Sequence, residues 1–331
     1  MKTQVAPTTT PAELKNAAEA AVFLLSGGFP VALPTETVYG LAAWALNKDA
    51  LLRVFQSKER PFFDPLIVHL PTREWLKRIC DIPVEDCDLV ERLTDRFWPG
   101  PLTIILPRTP MVPDLVTSGL PTVAVRMSSH PVFRQIIEQF DQPLAAPSAN
   151  RFGRISPTSA QHVVEELGGR IHLVVDAGAT SHGVESTIIS VRGRNIWIMR
   201  NGPVTAEQLR EFGEVSLASH GRVRPNAPGQ LKSHYAPRTP LQLLTPGASP
   251  AIREPKPWAL LAFRNADHAG PYSAVEVLSP RGDLREAATT LFAKLRHLDS
   301  LGVERIIAES VPNEGLGAAI LDRLRKAAGN G

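Results

Sequence analysis

The sequence predicts an α/β protein of two unequal domains: a larger one around a mixed, twisted sheet and a smaller Rossmann-like one. Three observations carry this prediction. Short apolar runs of strand length alternate with helical patterns along most of the chain, an alternation that packs helices onto a sheet. Between 213 and 238 the pattern gives way to a proline-bearing, cationic stretch, and afterwards it resumes. The 331 residues suit two domains at ~100–200 residues each.

At the N-terminal end, "PAELKNAAEAAVFLLSGG" carries apolar residues at helical spacing and stops at Gly27-Gly28, a helix terminator. "PVALP" is a short buried strand, and a polar cluster of Thr35, Glu36, Thr37 and Tyr39 comes directly after it. "KDALLRVFQSK" is a helix with Leu51, Leu52, Val54 and Phe55 on one face, and Pro61 stops the chain from continuing it. Further apolar runs at 65–70, 101–107, 122–127, 143–148, 171–178, 186–191 and 195–200 supply strands. Helices lie around "VFRQIIEQF" and "SAQHVVEEL", and the first domain, 1–212, closes near Phe212. Residues 213–238, with Pro225, Pro228 and Pro237, read as an extended linker. The second domain, 239–331, has strands in "PLQLL", "WALLAF", "AVEVL" and "VERIIAES" and helices in "DLREAATTLFAKLRHLDSL" and "GLGAAILDRLRKAA".

Composition narrows the function classes. Hydrophobic residues at 43% with 21% charged are ordinary for a globular domain, and a net charge of +3 permits an anionic partner without requiring one. No apolar run approaches the ~18 residues of a membrane span, and the N-terminal stretch lacks a secretory pattern. A cytoplasmic protein with no membrane attachment is expected. The two cysteines, Cys80 and Cys87, match no zinc or redox spacing. The 30 prolines punctuate a chain of many short strands.

No P-loop, nucleophile elbow or H-E-x-x-H pair occurs. "GLGAA" lacks the third glycine of a dinucleotide loop and reads as a helix start. What the first domain offers is polar residues at strand ends, where ligands of open α/β sheets gather. Thr35-Glu36-Thr37 and Ser148-Ala149-Asn150 each come after a strand, and Arg126 and Arg200 end two more. Lys58 and Arg60 close a helix. There they can serve either the macrodipole or a polyphosphate that no glycine loop cradles. His69 interrupts an apolar strand.

Together these motifs resemble a known family. "PTETVYGL", "KERPFFDPL", "VAVRMSSHP", "APSANRFGRISPT" and "GVESTI" are similar to the signature of YrdC-type threonylcarbamoyl-AMP synthases. "APGQLKSHYAP" and "GLGAAILDRLRKAA" resemble its longer two-domain form. The resemblance implies a YrdC-like sheet enclosing a basic cavity, with the linker able to cover it. It also implies a nucleotidyltransferase that converts L-threonine, bicarbonate and ATP, with magnesium, to threonylcarbamoyl-AMP and pyrophosphate. A separate transferase complex then passes the group to tRNA.

Carried over residue by residue, the resemblance assigns Lys58 and Arg60 to neutralising ATP phosphates. It adds Thr117, Ala146, Ser148, Asn150, Ser156, Arg200 and the linker's Tyr235 as ATP contacts. Thr35, His69, Thr122, Arg126 and Ser186 are its L-threonine contacts. Such chemistry needs no acid–base triad, because the carbamate nucleophile is already anionic. It needs positioning and charge neutralisation. Glu36 is expected to serve structure or metal orientation, and Tyr39 to pack with its hydroxyl satisfied. Asp64 stands where the family commonly has Asn, Phe152 where it has Ser, and Asn201 where it has Pro; Gln230 and Leu231 also depart. Asp64 is expected to point away from the phosphates. Two other classes compete: an RNA-binding or ribosome-associated module, for which no RNP1-like strand or GXXG clamp is present, and a carbamoyl-transfer relative, whose extra modules are missing.

Overall fold

The computed structural model describes residues 1–218, 235–267 and 270–329. Most of the expected linker, at 219–234, lies outside the described residues, including the departures at Gln230 and Leu231. The chain divides into two units. The first comprises Met1–Phe152, Pro157–Ser181 and Glu185–Gln230, and the second Gly153–Ser156, His182–Val184 and Leu231–Gly331.

The first unit opens with β1 (Gln4–Pro7), α1 (Pro11–Ser26), β2 (Val31–Leu33), β3 (Gly40–Trp44), α2 (Lys48–Lys58) and β4 (Ile67–His69). It continues with α3 (Glu74–Ile79), α4 (Val84–Phe97), β5 (Leu102–Pro107), α5 (Asp114–Thr117), β6 (Thr122–Arg126), α6 (Pro131–Phe140) and β7 (Leu144–Ala145). α7 (Ala160–Leu167), β8 (Leu173–Asp176), β9 (Thr187–Arg192), β10 (Asn195–Arg200), α8 (Ala206–Leu209) and β11 (Glu214–Leu217) complete it. Its strands form one sheet in the order β1-β8-β2-β3-β7-β4-β6-β5-β9-β10-β11. Parallel pairs such as β4/β6 and β5/β9 mix with antiparallel pairs such as β2/β3 and β5/β6. The mixed sheet expected from the sequence is what forms.

Local chemistry explains the element ends. α1 begins at a capping box: Glu13 N donates to Thr10 Oγ1 at 3.2 Å and Thr10 N donates to Glu13 Oε2 at 2.9 Å. With Pro11 in the first turn, the start is doubly specified. α2 is capped by Asn47, whose Oδ1 accepts from Asp49 N and Ala50 N, and it ends where Glu59 turns left-handed at φ 53°.

Core packing covers both sheet faces on the β2 side. Val31 and Leu33 pack with Ala18, Leu25, Phe133 and Ile137 of α1 and α6. Ala32, between them, points to the other face, among Val54, Ala160 and Val163 of α2 and α7. On the β5 side the alternation differs in outcome. Val68, Ile104, Val123 and Val125 enter the largest core with α3 and α4. Their neighbours Ile67, Ile105, Ala124 and Ile188 form only a small apolar strip on the opposite face. That face, buried but poor in apolar residues, carries the polar residues of the candidate site.

Three elements depart from the sequence reading. β3, in a stretch for which no element was expected, pairs antiparallel with β2, so the polar cluster at 35–39 joins two strands. β1, in a stretch read only for the absence of a leader, pairs parallel with β8. β11, inside the expected linker, pairs parallel with β10.

In the second unit, β12 (Leu241–Leu243), β13 (Lys256–Ala262), β14 (Tyr272–Val277) and β15 (Arg305–Ala308) form an all-parallel sheet in the order β12-β15-β13-β14. α9 (Leu284–Ser300) and α10 (Leu316–Ala327) accompany it. Ala236 N donates to Gly153 O at 2.9 Å, which ties the short segment 153–156 into this unit. No helix among the described residues is long and apolar enough to cross a membrane.

Candidate active site

Strand register decides which side chains share a face. His69 lies opposite Arg126, Ile67 opposite Ala124, and Ile105 opposite the same Ala124. Thr103 lies opposite Ile188, and Ile188 opposite Arg200. Cross-strand partners point the same way, and so do residues two apart. His69, Thr103, Thr122, Arg126, Ser186 and Arg200 therefore belong to the face that carries the small apolar strip.

At one end of this face a polar turn meets β6. Thr35 Oγ1 accepts from Thr37 N (3.1 Å) and Val38 N (3.2 Å) and donates to Val38 O at 2.6 Å. The hydroxyl thus folds the turn that presents Glu36 and Thr37. Arg126 Nη2 lies 2.6 Å from Glu36 Oε1, an ion pair with both side chains nearly inaccessible. Arg126 Nη1 donates to Thr37 Oγ1 at 3.1 Å and Nε to Gly100 O at 3.1 Å. Ser128 Oγ donates to Glu36 Oε2 at 2.5 Å. Burial alone raises the Glu36 pKa, but the charge of Arg126 and the bond from Ser128 prevail and hold it at about 2. Tyr39 is buried, donating to Gly178 O at 2.7 Å and accepting from Ala177 N at 3.2 Å, which is the satisfied packing role expected of it.

His69 is buried beside this pair, its ring 4.8 Å from that of Phe133. Its Nδ1 has no hydrogen bond among the described residues. Burial, and then the charge of Arg126, push its pKa down to about 3, so the imidazole is neutral near pH 7. A histidine kept neutral in the fold binds a proton only after unfolding between its ordinary 6.5 and 3. Stability therefore falls as pH drops through that window, by ~1.4 kcal/mol per pH unit. Glu36, depressed from 4.5 to about 2, adds to the loss below 4.5. The expected result is a thermal midpoint that declines from pH 6.5 to 5 and a shallower decline for His69→Asn. Parallel declines in buffered melts would contradict the assignment.

A second cluster lies on β5, β9 and β10. Thr103 Oγ1 and Ser186 Oγ are 2.8 Å apart. Arg200 donates from Nε to Ser186 O and from Nη2 to Ser186 Oγ, both at 3.1 Å. Gly202 lets the chain pass: a Cβ there would stand 2.4 Å from Thr187 N and 2.6 Å from Glu185 O. Gly202→Ala should force these backbones apart, cost roughly 1–3 kcal/mol, and displace Ser186 and Arg200. Chemical denaturation measures the cost.

The third cluster gathers around the end of α2. Lys58 is buried, and its Nζ donates to Ser148 O at 2.5 Å and to Asn150 O. Burial, then the neighbouring charge of Arg60, lower its pKa well below the usual range for lysine. The hydrogen bonds of Ala149 N to Tyr39 O and Leu41 N to Pro147 O bring 147–150 alongside the polar turn. Ala146 N donates to Ile67 O, which places Ala146 beside β4. Arg60 donates from Nε to Asp64 O (3.2 Å) and from Nη2 to Pro65 O (2.9 Å).

Asp64, expected to point away from the phosphates, pairs with one of the cations assigned to them. Its carboxylate lies 2.8 Å from Arg60 Nη2 and is fully buried. Burial raises its pKa against the pull of Arg60, Lys58 and Arg200. The physical reason is charge: cations withdrawn from water in one place need a counter-charge.

Thr117, buried at the end of α5, and Thr122, at the start of β6, lie in the same unit. Ser156 and Tyr235 fall in the second unit. Tyr235 is buried there, its ring 5.7 Å from that of Phe292 and 5.1 Å from the Arg323 guanidinium. Phe152 N donates to Lys58 O at 2.9 Å, a backbone bond that any residue but proline would make.

Residue reasoning missed Ser128 and Thr103 as members of these networks and undervalued Glu36. Signals were present. Ser128 stands two positions after Arg126 in the motif "VAVRMSSHP", and Thr103 is a polar interruption of the apolar run "PLTIILP".

Comparison with known proteins agrees with this architecture. Residues 24–202 match the Sua5, YciO and YrdC family model, described as telomere recombination. Residues 204–329 match the model described as the C-terminal domain of threonylcarbamoyl-AMP synthase. The threonylcarbamoyl-AMP synthase of Pyrococcus abyssi is 41% identical over 322 residues, covering 94% of this chain and 93% of the relative. That of Bacillus subtilis is 40% identical over 323 residues, covering 93% and 92%. The crystal structure of P. abyssi Sua5 complexed with L-threonine superposes with a TM-score of 0.87 at 35% identity, covering 99% of this chain and 98% of that one. Two domain models in tandem and these near full-length matches place the chain in the threonylcarbamoyl-AMP synthase family.

Proposed function

We propose that this protein is an L-threonylcarbamoyladenylate synthase, joining L-threonine, bicarbonate and ATP into threonylcarbamoyl-AMP with release of pyrophosphate. The observation that carries the reading is the buried Glu36–Arg126 pair set among hydroxyls at one end of a sheet face. A free amino acid is a zwitterion, and an ion pair offers complementary partners to both its charges. Arg126 takes the carboxylate, and Glu36 faces the ammonium. Thr35, His69, Thr122 and Ser186 complete the threonine pocket, with His69 as a neutral hydrogen-bonding group. The threonine complex of the P. abyssi relative supports this substrate.

ATP falls to the other clusters. Lys58, Arg60 and Arg200 supply positive charge, and Ser148, Asn150, Thr117 and the backbone at Ala146 supply polar contacts. Ser156 and Tyr235, which belong to the second unit, are assigned to ATP by the family resemblance alone. The threonine amine adds to bicarbonate, and an oxygen of the resulting carbamate attacks the α-phosphorus as pyrophosphate leaves. The first unit's side chains hold the two anions in line and neutralise charge developing at the phosphorus. A buried setting also slows loss of the carbamate to water.

Magnesium accompanies ATP in this reading. Among the described residues no group of three or more His, Cys, Asp or Glu could hold a metal, and an ion bound mainly by phosphates and water needs none. When bound, it shares the neutralisation of the phosphates. The product goes to a separate transferase complex acting on tRNA in the cytoplasm.

The test is pyrophosphate release from ATP with L-threonine and bicarbonate omitted in turn. Release that requires both is expected. Release indifferent to either would remove this function.

A further inference from the structure

Asp64 is a buried charge to which the synthase chemistry gives no task. Its side chain is inaccessible, and neither carboxylate oxygen has a hydrogen bond among the described residues. It forms an ion pair with Arg60, which also donates to the carbonyls of Asp64 and Pro65. A carboxylate stripped of water without hydrogen bonds is held by charge alone. A phosphate presents the same kind of anionic oxygen, in greater number and with more charge, to the same guanidinium.

We propose that Asp64 is a resident counter-ion for Arg60, which the polyphosphate of ATP must outcompete, so that this side chain sets the affinity for ATP. The proposal rests on reading Arg60, with Lys58 and Arg200, as the polyphosphate site. No covalent bond changes in the exchange. The Arg60 guanidinium passes from pairing with one internal carboxylate to dividing its charge between that carboxylate and a bound phosphate chain, and Asp64 then repels what Arg60 attracts.

Removing the Asp64 charge acts in opposite directions on the two states. The ligand-free protein loses a counter-charge and becomes less stable. The ATP-bound protein loses a repulsion and is held more tightly. A side chain that only braced the 60–65 loop would instead weaken binding when altered.

The experiment uses the full chain and its near-isosteric Asp64→Asn variant, with ATP and no threonine so that nothing turns over. Calorimetry should give an ATP Kd lower by about tenfold or more. The ligand-free thermal midpoint should fall, and the rise on adding ATP should exceed that of the unaltered protein. Tripolyphosphate should reproduce the shift, adenosine should not, and L-threonine affinity should stay unchanged. ATP binding that is equal or weaker in the folded variant overturns the proposal. So does a variant that fails to fold even at saturating ATP, because recovery by the polyphosphate is what the proposal requires. If neither protein binds ATP or tripolyphosphate, the polyphosphate site itself is wrong, a result distinct from either of these.

Discussion

Arg126→Ala is expected to destabilise the protein by roughly 3–5 kcal/mol, because it leaves Glu36 as a buried carboxylate without its cation. The loss goes beyond one ion pair. Arg126 also holds Thr37 Oγ1 and Gly100 O, so the polar turn and the start of β5 lose a shared tie. Chemical denaturation of three proteins separates these effects: Arg126→Ala, Glu36→Gln, and the double variant. With Glu36 neutralised, removing Arg126 should cost clearly less than it does alone, and a double-mutant cycle reads the difference directly. Strictly additive costs would mean that the 2.6 Å pair contributes nothing. In the synthase assay Arg126→Ala should raise the KM for threonine far more than that for ATP.

Lys58→Met should have the opposite profile, little change in stability and a large loss of activity. The lysine stem is replaced by one of similar shape, and a buried ammonium whose pKa burial drives down is removed. The two bonds to Ser148 O and Asn150 O that disappear are offset by the desolvation no longer borne. The thermal midpoint is therefore expected to stay level or rise. Pyrophosphate release should drop by about 100-fold in kcat/KM for ATP, the usual scale for removing one charged group aimed at a developing negative charge. A midpoint that collapsed would make Lys58 a structural brace for 148–150 and not a phosphate group. Comparable rises in KM for both substrates, for this change and for Arg126→Ala, would merge the two pockets into one.

Long periodic elements were legible in the sequence because their signal is local. α1 has its cap, its apolar stripe and its glycine stop all within "TPAELKNAAEAAVFLLSGG". β3 was not legible, since Gly40, Ala42 and Ala43 of "GLAAW" have weak strand preference. It is a strand because β2 and β7 lie on either side. β1 likewise exists through β8, 169 residues away, whose neighbourhood also receives the Thr3 hydroxyl. In the site, the motif residues could be named, but their partners could not. Glu36 and Arg126 are 90 positions apart, and nothing local in "PTETVYGL" says that its acid is committed to an arginine. The pairing of Asp64 with Arg60 was likewise not read from the sequence, because like-charge reasoning about ATP left out the cost of burying cations with no acid nearby.

The short pieces 153–156 and 182–184, which sort with the later part of the chain, bear on how this protein can be dissected. Ending the polypeptide at 218 would keep both pieces yet strip the Gly153 carbonyl of Ala236 N and the Ile155 carbonyl of the Arg296 guanidinium. The family-model boundary between 202 and 204 is thus a seam in the sequence that the hydrogen bonding does not respect. Whatever the N-terminal two-thirds can do alone, it does with some of its own backbone left unanswered.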